Sequence, residues 1–183
     1  MKVNLMLARD ATSGKGREYS YGVRNNTMYF FRRPGRDSVP AGQLEVRQRF
    51  RHAAAYAKWA KADPEMGAFY EGLAASRKVG LHALIMTDYL KAPVVETIDV
   101  SAFTGAAGGK IAVKASDDCG VVSVGVELRG PDGGLLEQGP AVYDRETWVY
   151  QPTGTYPAGT PVTITATAVD RPGNKGMKTE TWS

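Results

Sequence analysis

Two periods of apolar residues divide the sequence. Over residues 46 to 60 they fall at Val46, Phe50, Ala53, Ala57 and Ala60, a three-to-four spacing that lines one face of a helix. Beyond Pro93 the spacing becomes two. Val95, Thr97 and Asp99 alternate with Glu96, Ile98 and Val100; later Ile111, Val113 and Ala115, then Val122 to Leu128, Trp148 and Tyr150, and Val162 to Ala168 each mark one face of a strand. The change predicts two folding units, a helical one over residues 1–92 and a β-sandwich over 93–183.

Local signals set the boundaries. Lys2 to Ala8 alternates and predicts a strand, and Thr12-Ser13-Gly14-Lys15-Gly16 predicts a loop. Tyr19–Val23 and Thr27–Phe31 flank Asn25-Asn26, a pair that tolerates the left-handed backbone of a tight turn, so a hairpin is expected. Asp37, Ser38 and Pro40 supply helix-starting chemistry, and the helix should run from about Ala41 to Ala62. Asp63-Pro64-Glu65 starts a second helix: a capping carboxylate, a proline at the first helical position, and an acid at the positive end of the dipole. That helix is expected to bend or break near Gly72 or Gly80 and to stop before Pro93. Alanines let the helix axes approach closely, giving a helical hairpin. In the second half, turn-forming clusters such as Asp117-Asp118-Cys119-Gly120, Pro131-Asp132-Gly133-Gly134 and Pro172-Gly173-Asn174 separate six or seven short strands.

Composition narrows the class. The chain has 183 residues, 43% hydrophobic and 23% charged, and no apolar run approaches the roughly 20 residues of a membrane helix. The apolar stretch at Met1–Ala8 is interrupted by charge too early for a secretory signal, so the cytoplasm or a virion is the expected location. Cys119 is the single cysteine, which excludes an internal disulfide; its acidic neighbours Asp117 and Asp118 predict a packed, inert thiol. The formal charge of +4 hides a division. Residues 1–92 carry 16 Lys/Arg against 8 Asp/Glu, whereas residues 93–183 carry 7 against 11. A basic half of this kind attracts an anionic partner, including the acidic half of another copy.

Candidate chemistry is sparse. His52 and His82 have no partner at metal-binding helical spacing, and no Gly-x-Ser-x-Gly elbow accompanies them. Ser13-Gly14-Lys15 lacks the first glycine and the Ser/Thr of a P-loop. Asp117, Asp118, Asp170 and Asn174 would offer oxygens to Ca²⁺ if one end of the sandwich gathered them; as turn formers that bond local amides they predict no metal. The basic residues are more suggestive. At 100° per residue Arg47, Arg51, Lys58 and Lys61 lie within about 40° of one line on the first helix, about 100° from its apolar stripe. Arg32, Arg33 and Arg36 precede that helix, near Tyr29, Phe30 and Phe31, which otherwise form the core of the first unit. These seven cations are the candidate site for an anionic partner.

The run Ile111-Ala112-Val113-Lys114-Ala115-Ser116-Asp117-Asp118, the strand from Val121 to Leu128, and Ile164 to Asp170 with Gly173-Asn174 together resemble bacterial immunoglobulin-like domains. In those a strand ends in an A-x-D turn and a late strand in an A-x-D-x-x-G-N corner. The resemblance covers residues 94–183 and implies a spacer, adhesive or binding module rather than catalysis. Gln43, Arg47, Arg49-Phe50 and Ala53 resemble a short helix of uncharacterised bacterial and phage-associated proteins. The expectation is therefore an α+β protein, a small helical unit with an N-terminal β-hairpin followed by an immunoglobulin-like antiparallel β-sandwich. It needs no cofactor and serves as a non-catalytic interaction or assembly module, in a phage or mobile-element setting. A protein partner is expected first, with a homo-oligomer included. Nucleic acid bound by the basic helix is one alternative, and carbohydrate held by Trp148, Tyr150, Tyr156 or Trp182 is another.

Overall fold

The structure, a computed structural model, describes residues 13–15, 19–24, 27–32 and 40–183. The strand expected at Lys2 to Ala8, the Asn25-Asn26 turn and the Asp37-Ser38 cap lie outside the described residues. The protein is α+β; the described residues form three helices, a three-stranded sheet and two four-stranded sheets, all antiparallel. It divides into two compact units, Met1–Arg47 and Gln48–Ser183.

In the first unit β1 (Ser13–Lys15), β2 (Tyr19–Arg24) and β3 (Thr27–Arg32) form a sheet in that order. β2 and β3 pair as the expected hairpin, from Tyr19 opposite Arg32 to Arg24 opposite Thr27. Ser13–Lys15, expected inside a loop, pairs with Ser20–Gly22. Three residues joined through backbone N–H and C=O alone leave no side-chain pattern to read. Tyr29 and Phe30, expected in a small core, are exposed, and the Phe30 ring lies 6.3 Å from that of its cross-strand partner Tyr21.

Helix α1 spans Ala41–Ala62 as its periodicity predicts. Its stripe is buried at Ala53, Ala57 and Ala60 but exposed at Val46 and Phe50. The reason is length. α2 (Pro64–Arg77) and α3 (Leu81–Leu90) have 14 and 10 residues against the 22 of α1, and they share a core with its last turns: Ala57, Ala60, Tyr70, Ala74, Leu84 and Ile85. Asp63 caps α2 by accepting from the N–H groups of Glu65 (3.1 Å) and Met66 (2.9 Å), with Pro64 at the first position. Replacing Asp63 by Ala should cost about 1 kcal/mol, read as a lower urea midpoint with unchanged slope. The chain breaks at Lys78–Gly80 rather than Gly72. Lys78 takes the left-handed conformation (φ 56°), its N–H returns to the Ala74 and Ala75 carbonyls, and Gly80 begins α3.

Eight strands follow: β4 (Val94–Asp99), β5 (Ile111–Ser116), β6 (Ser123–Arg129), β7 (Leu135–Pro140), β8 (Val142–Asp144), β9 (Thr147–Tyr150), β10 (Val162–Val169) and β11 (Lys175–Trp182). One sheet has the order β4-β5-β9-β8 and the other β11-β10-β6-β7. Their facing sides close one core of alternate residues, including Ile111 and Val113 from the first sheet and Val124, Val126, Leu128, Val162 and Ile164 from the second. Strict alternation fails in β4. A bulge between Val95 and Thr97 shifts the register against β5, so Val95 and Ile98 both face inward although their parities differ. Val122, placed by its period on the buried face of β6, precedes the strand and is exposed.

Helices and sheets meet at one corner. Asn174, in the turn between β10 and β11, directs its Nδ2 at the carbonyls of Asp88 (3.3 Å), Tyr89 (3.2 Å) and Lys91 (3.1 Å), filling acceptors that the end of α3 leaves open. Arg171 lies 3.6 Å over the Phe69 ring, and Cys119 from the β5–β6 turn sits within the helical core.

Candidate functional site

The helical register places Arg47, Arg51, Lys58 and Lys61 along one line of α1, and all four are exposed. None takes part in a salt bridge among the described residues. Leu44 and Phe50 flank this row within about 60° on either side, and Phe50 is 52% exposed. Trp59, one position from Lys58, is 55% exposed and lies against Tyr56 at 5.6 Å between ring centroids. The surface therefore mixes cations with aromatic area. Arg32 ends β3, while Arg33 and Arg36 lie outside the described residues.

A second constellation is acidic and mostly buried. One oxygen from each of Asp88, Asp117 and Asp170 lies within 4.8 Å of the other two. Each carboxylate is positioned by its own element. Asp170 follows β10 and takes the Asn174 N–H on Oδ1 (2.6 Å) and the Asn174 Nδ2 on Oδ2 (2.7 Å). Asp117 follows β5 and takes the Cys119 N–H on Oδ2 (2.8 Å). Asp88, in the last turn of α3, accepts the Tyr70 hydroxyl on Oδ2. The turn-forming role expected of Asp117 and Asp170 is thus present, and the same turns bring them to a third carboxylate. Burial, opposed by the Tyr70 hydrogen bond and reinforced by the charge of Asp117, raises Asp88 to about 6. Asp118, grouped with these residues in sequence, instead pairs with Lys91 at the surface (2.6 Å).

Sequence patterning missed Asp88. Its one signal is an acid in the otherwise apolar segment Leu81 to Leu90, since a carboxylate on a buried helix demands partners.

No protein-family model matches the chain, and no curated protein is similar to it. The reading of its chemistry rests on its own side chains.

Those side chains resolve several sequence candidates. His52 and His82 are exposed on α1 and α3. The thiol of Cys119 is buried and pushed up to about 12, first by burial and then by the charge of Asp88. It should resist a disulfide reagent such as DTNB in the folded protein and react at once in denaturant; rapid modification of the native chain would contradict this packing. Of the four aromatics that would hold a carbohydrate, Tyr150 and Tyr156 are buried, and Trp148 and Trp182 pack half-buried against the same core.

The two buried tyrosines reach a carboxylate that the sequence also did not disclose. Glu137 on β7 accepts from the hydroxyls of Tyr156 (2.6 Å) and Tyr150 (2.8 Å), from the N–H groups of Thr153 (2.8 Å) and Gly154 (3.0 Å), and from Thr153 Oγ1 (3.0 Å). It lines a hollow of about 710 Å³ with Pro131, Thr153 and Tyr156. Five donors saturate the carboxylate, so it joins the two sheets and is not poised to exchange a proton at neutral pH.

Proposed function

We propose that this chain is a non-catalytic interaction module, an immunoglobulin-like domain carrying a helical hairpin whose first helix docks on an acidic protein surface. The observation that carries the reading is the exposed row Arg47, Arg51, Lys58 and Lys61, with Phe50 beside it. Cations that form no salt bridge among the described residues, next to exposed aromatic area, combine electrostatic steering with a desolvatable contact, the composition of a protein interface. The strand orders support the immunoglobulin-like assignment. β4-β5-β9-β8 corresponds to strands A, B, E and D, and β11-β10-β6 to G, F and C, with β7 as an added edge. The sequence likeness around Gln43 to Ala53 favours a phage or mobile-element assembly as the setting.

Reversing the row with Arg47→Glu, Arg51→Glu, Lys58→Glu and Lys61→Glu together should abolish capture of the native acidic partner while leaving Tm nearly unchanged, because these side chains are exposed. Capture unaffected by the reversal would remove the reading. Nucleic acid is the second reading, since the same row suits phosphates. It requires binding whose log K falls against log salt by about 0.9 per phosphate contact. A titration with DNA and RNA at low salt that shows no binding would eliminate it.

A further inference from the structure

The acidic pocket contains an oxygen that no described residue satisfies with a hydrogen bond of normal geometry. Asp88 is 1% exposed, and among the described residues its Oδ1 accepts no hydrogen bond, whereas Oδ2 is bound by Tyr70. The Cys119 thiol, a weak donor, biases the Asp88 carboxyl downward without forming a hydrogen bond of normal geometry to Oδ1. A buried acceptor in this condition is costly unless something unseen in the polypeptide completes it. We propose that Asp88, Asp117 and Asp170 bind a hard divalent cation, Ca²⁺, at the junction of α3 with the β5–β6 and β10–β11 turns.

Geometry, charge and ligand type agree. Ca²⁺ takes oxygen ligands at 2.3–2.6 Å, so two ligands of one ion lie at most about 5 Å apart. The three carboxylate oxygens lie within 4.8 Å of one another, inside that span. Mg²⁺ demands near-octahedral order and dehydrates reluctantly, which suits it less to three carboxylates from three separate elements. Every donor of the cluster is a carboxylate oxygen, the ligand type of a hard cation rather than of zinc. The oxygens that already accept N–H groups keep a free lone pair for an ion.

Nearby cations act on the cluster only at a distance: Lys91 feels the charge of Asp117, and Arg77 and Arg171 act on the neighbouring Cys119 and Tyr56. Among the described residues no salt bridge reaches Asp88, Asp117 or Asp170: Lys91 pairs with Asp118, and Arg171 covers Phe69. Asp88 also stands in the last turn of α3, where the helix dipole adds negative potential. The Tyr56 hydroxyl is a second buried polar atom with no hydrogen bond of normal geometry among the described residues; burial raises its pKa first, the nearby Tyr70 hydroxyl opposes this, and the charges of Asp88 and Asp170 add to it. Entry is available at Asp117, which lines a surface hollow of about 340 Å³ with Lys91, Ser116 and Asp118. With three protein carboxylates and water completing the shell, affinity belongs near the weak end for Ca²⁺ sites, about 10⁻⁴–10⁻³ M.

The test uses the full chain stripped with EDTA. Tb³⁺ should show saturable emission sensitised by the nearby tyrosines, Ca²⁺ should displace it, and millimolar Ca²⁺ should raise Tm. Asp117→Asn, in a part-exposed turn that tolerates the change, should weaken Ca²⁺ binding about tenfold or more, as should Asp88→Asn if it folds. Asp144→Asn on β8 should leave it unchanged. The proposal is overturned if Tb³⁺ emission persists in Asp117→Asn, or if Ca²⁺ neither displaces it nor moves Tm. It is equally overturned if stability changes with pH near 6 and ignores Ca²⁺, which would mean that a proton on Asp88 completes the pocket.

Discussion

Gly176→Ala should destabilise the protein by about 3 kcal/mol or more, the cost of forcing a side chain into a closed backbone contact. Gly176 is the second residue of β11, where the link from α3 to β4 crosses the strand. A Cβ at that position would stand 2.7 Å from the Pro93 carbonyl carbon and closer still to its oxygen. Neither neighbour is a flexible side chain that can swing aside. Relief requires moving β11 or the Pro93 link, and both are held: Lys175 to Trp182 pairs along the whole of β10, and Pro93 is buried. For a chain of this size the loss should lower Tm by roughly 6–12 °C. Gly72→Ala is the contrasting substitution. Gly72 lies exposed inside α2 with no atom within 4 Å of an added Cβ, so alanine there should stabilise by up to about 1 kcal/mol. Equal and small effects at the two glycines would show that the Pro93 crossing is not the tight contact described.

The sequence carried the elements better than their meetings. α1 was legible because an apolar stripe and the Asp63-Pro64 signal bound it, and both are local. β10 was legible because Val162, Ile164, Ala166 and Ala168 alternate without interruption. β4 was misread where a bulge inserts one residue, since a parity rule has no means of seeing an irregularity set by the partner strand. The break after α2 was expected near Gly72 or Gly80 and falls beside Gly80; the left-handed residue there is Lys78, whose N–H returns to carbonyls of the preceding turn. Gly176 shows the same limit: nothing around it announces that Pro93, more than 80 residues earlier, will lie against it.

Candidate sites divide along the same line. The basic row on α1 was visible because one helix supplies it at one period, and its exposure follows from that period. Asp117 and Asp170 were recognisable as turn formers. Their companion Asp88 comes from a helix, and only the docking of α3 on the corner at Asn174 brings the three together. Chemistry assembled from three separate elements leaves no spacing in the sequence, only the oddity of an acid on an apolar helix.

Glu137→Gln should lower stability at pH 7 by about 2–3 kcal/mol and should also change how stability depends on acid. Burial alone would raise this carboxyl, but the hydrogen bonds from Tyr156, Thr153, Gly154 and Tyr150 outweigh it and hold the group at about 2. A folded-state value below the ordinary one near 4.3 means that the ionised form is bound more tightly by the folded protein. Its stabilisation is therefore complete above the ordinary value and disappears as pH falls from about 4.5 towards 2. The wild-type chain should lose this component over that interval, and Glu137→Gln should lack it, so the two stability curves converge in acid. Glutamine keeps one accepting oxygen but turns an NH₂ group towards donors, leaving at least one of the Tyr150, Tyr156, Thr153 and Gly154 groups unpaired. Tyr150→Phe and Tyr156→Phe each remove one donor and should cost about 1 kcal/mol apiece. Curves for wild type and Glu137→Gln that run parallel from pH 7 to pH 2 would mean that the carboxylate does not join the sheets, and that packing of the aromatic rings alone holds β7 to the loop after β9.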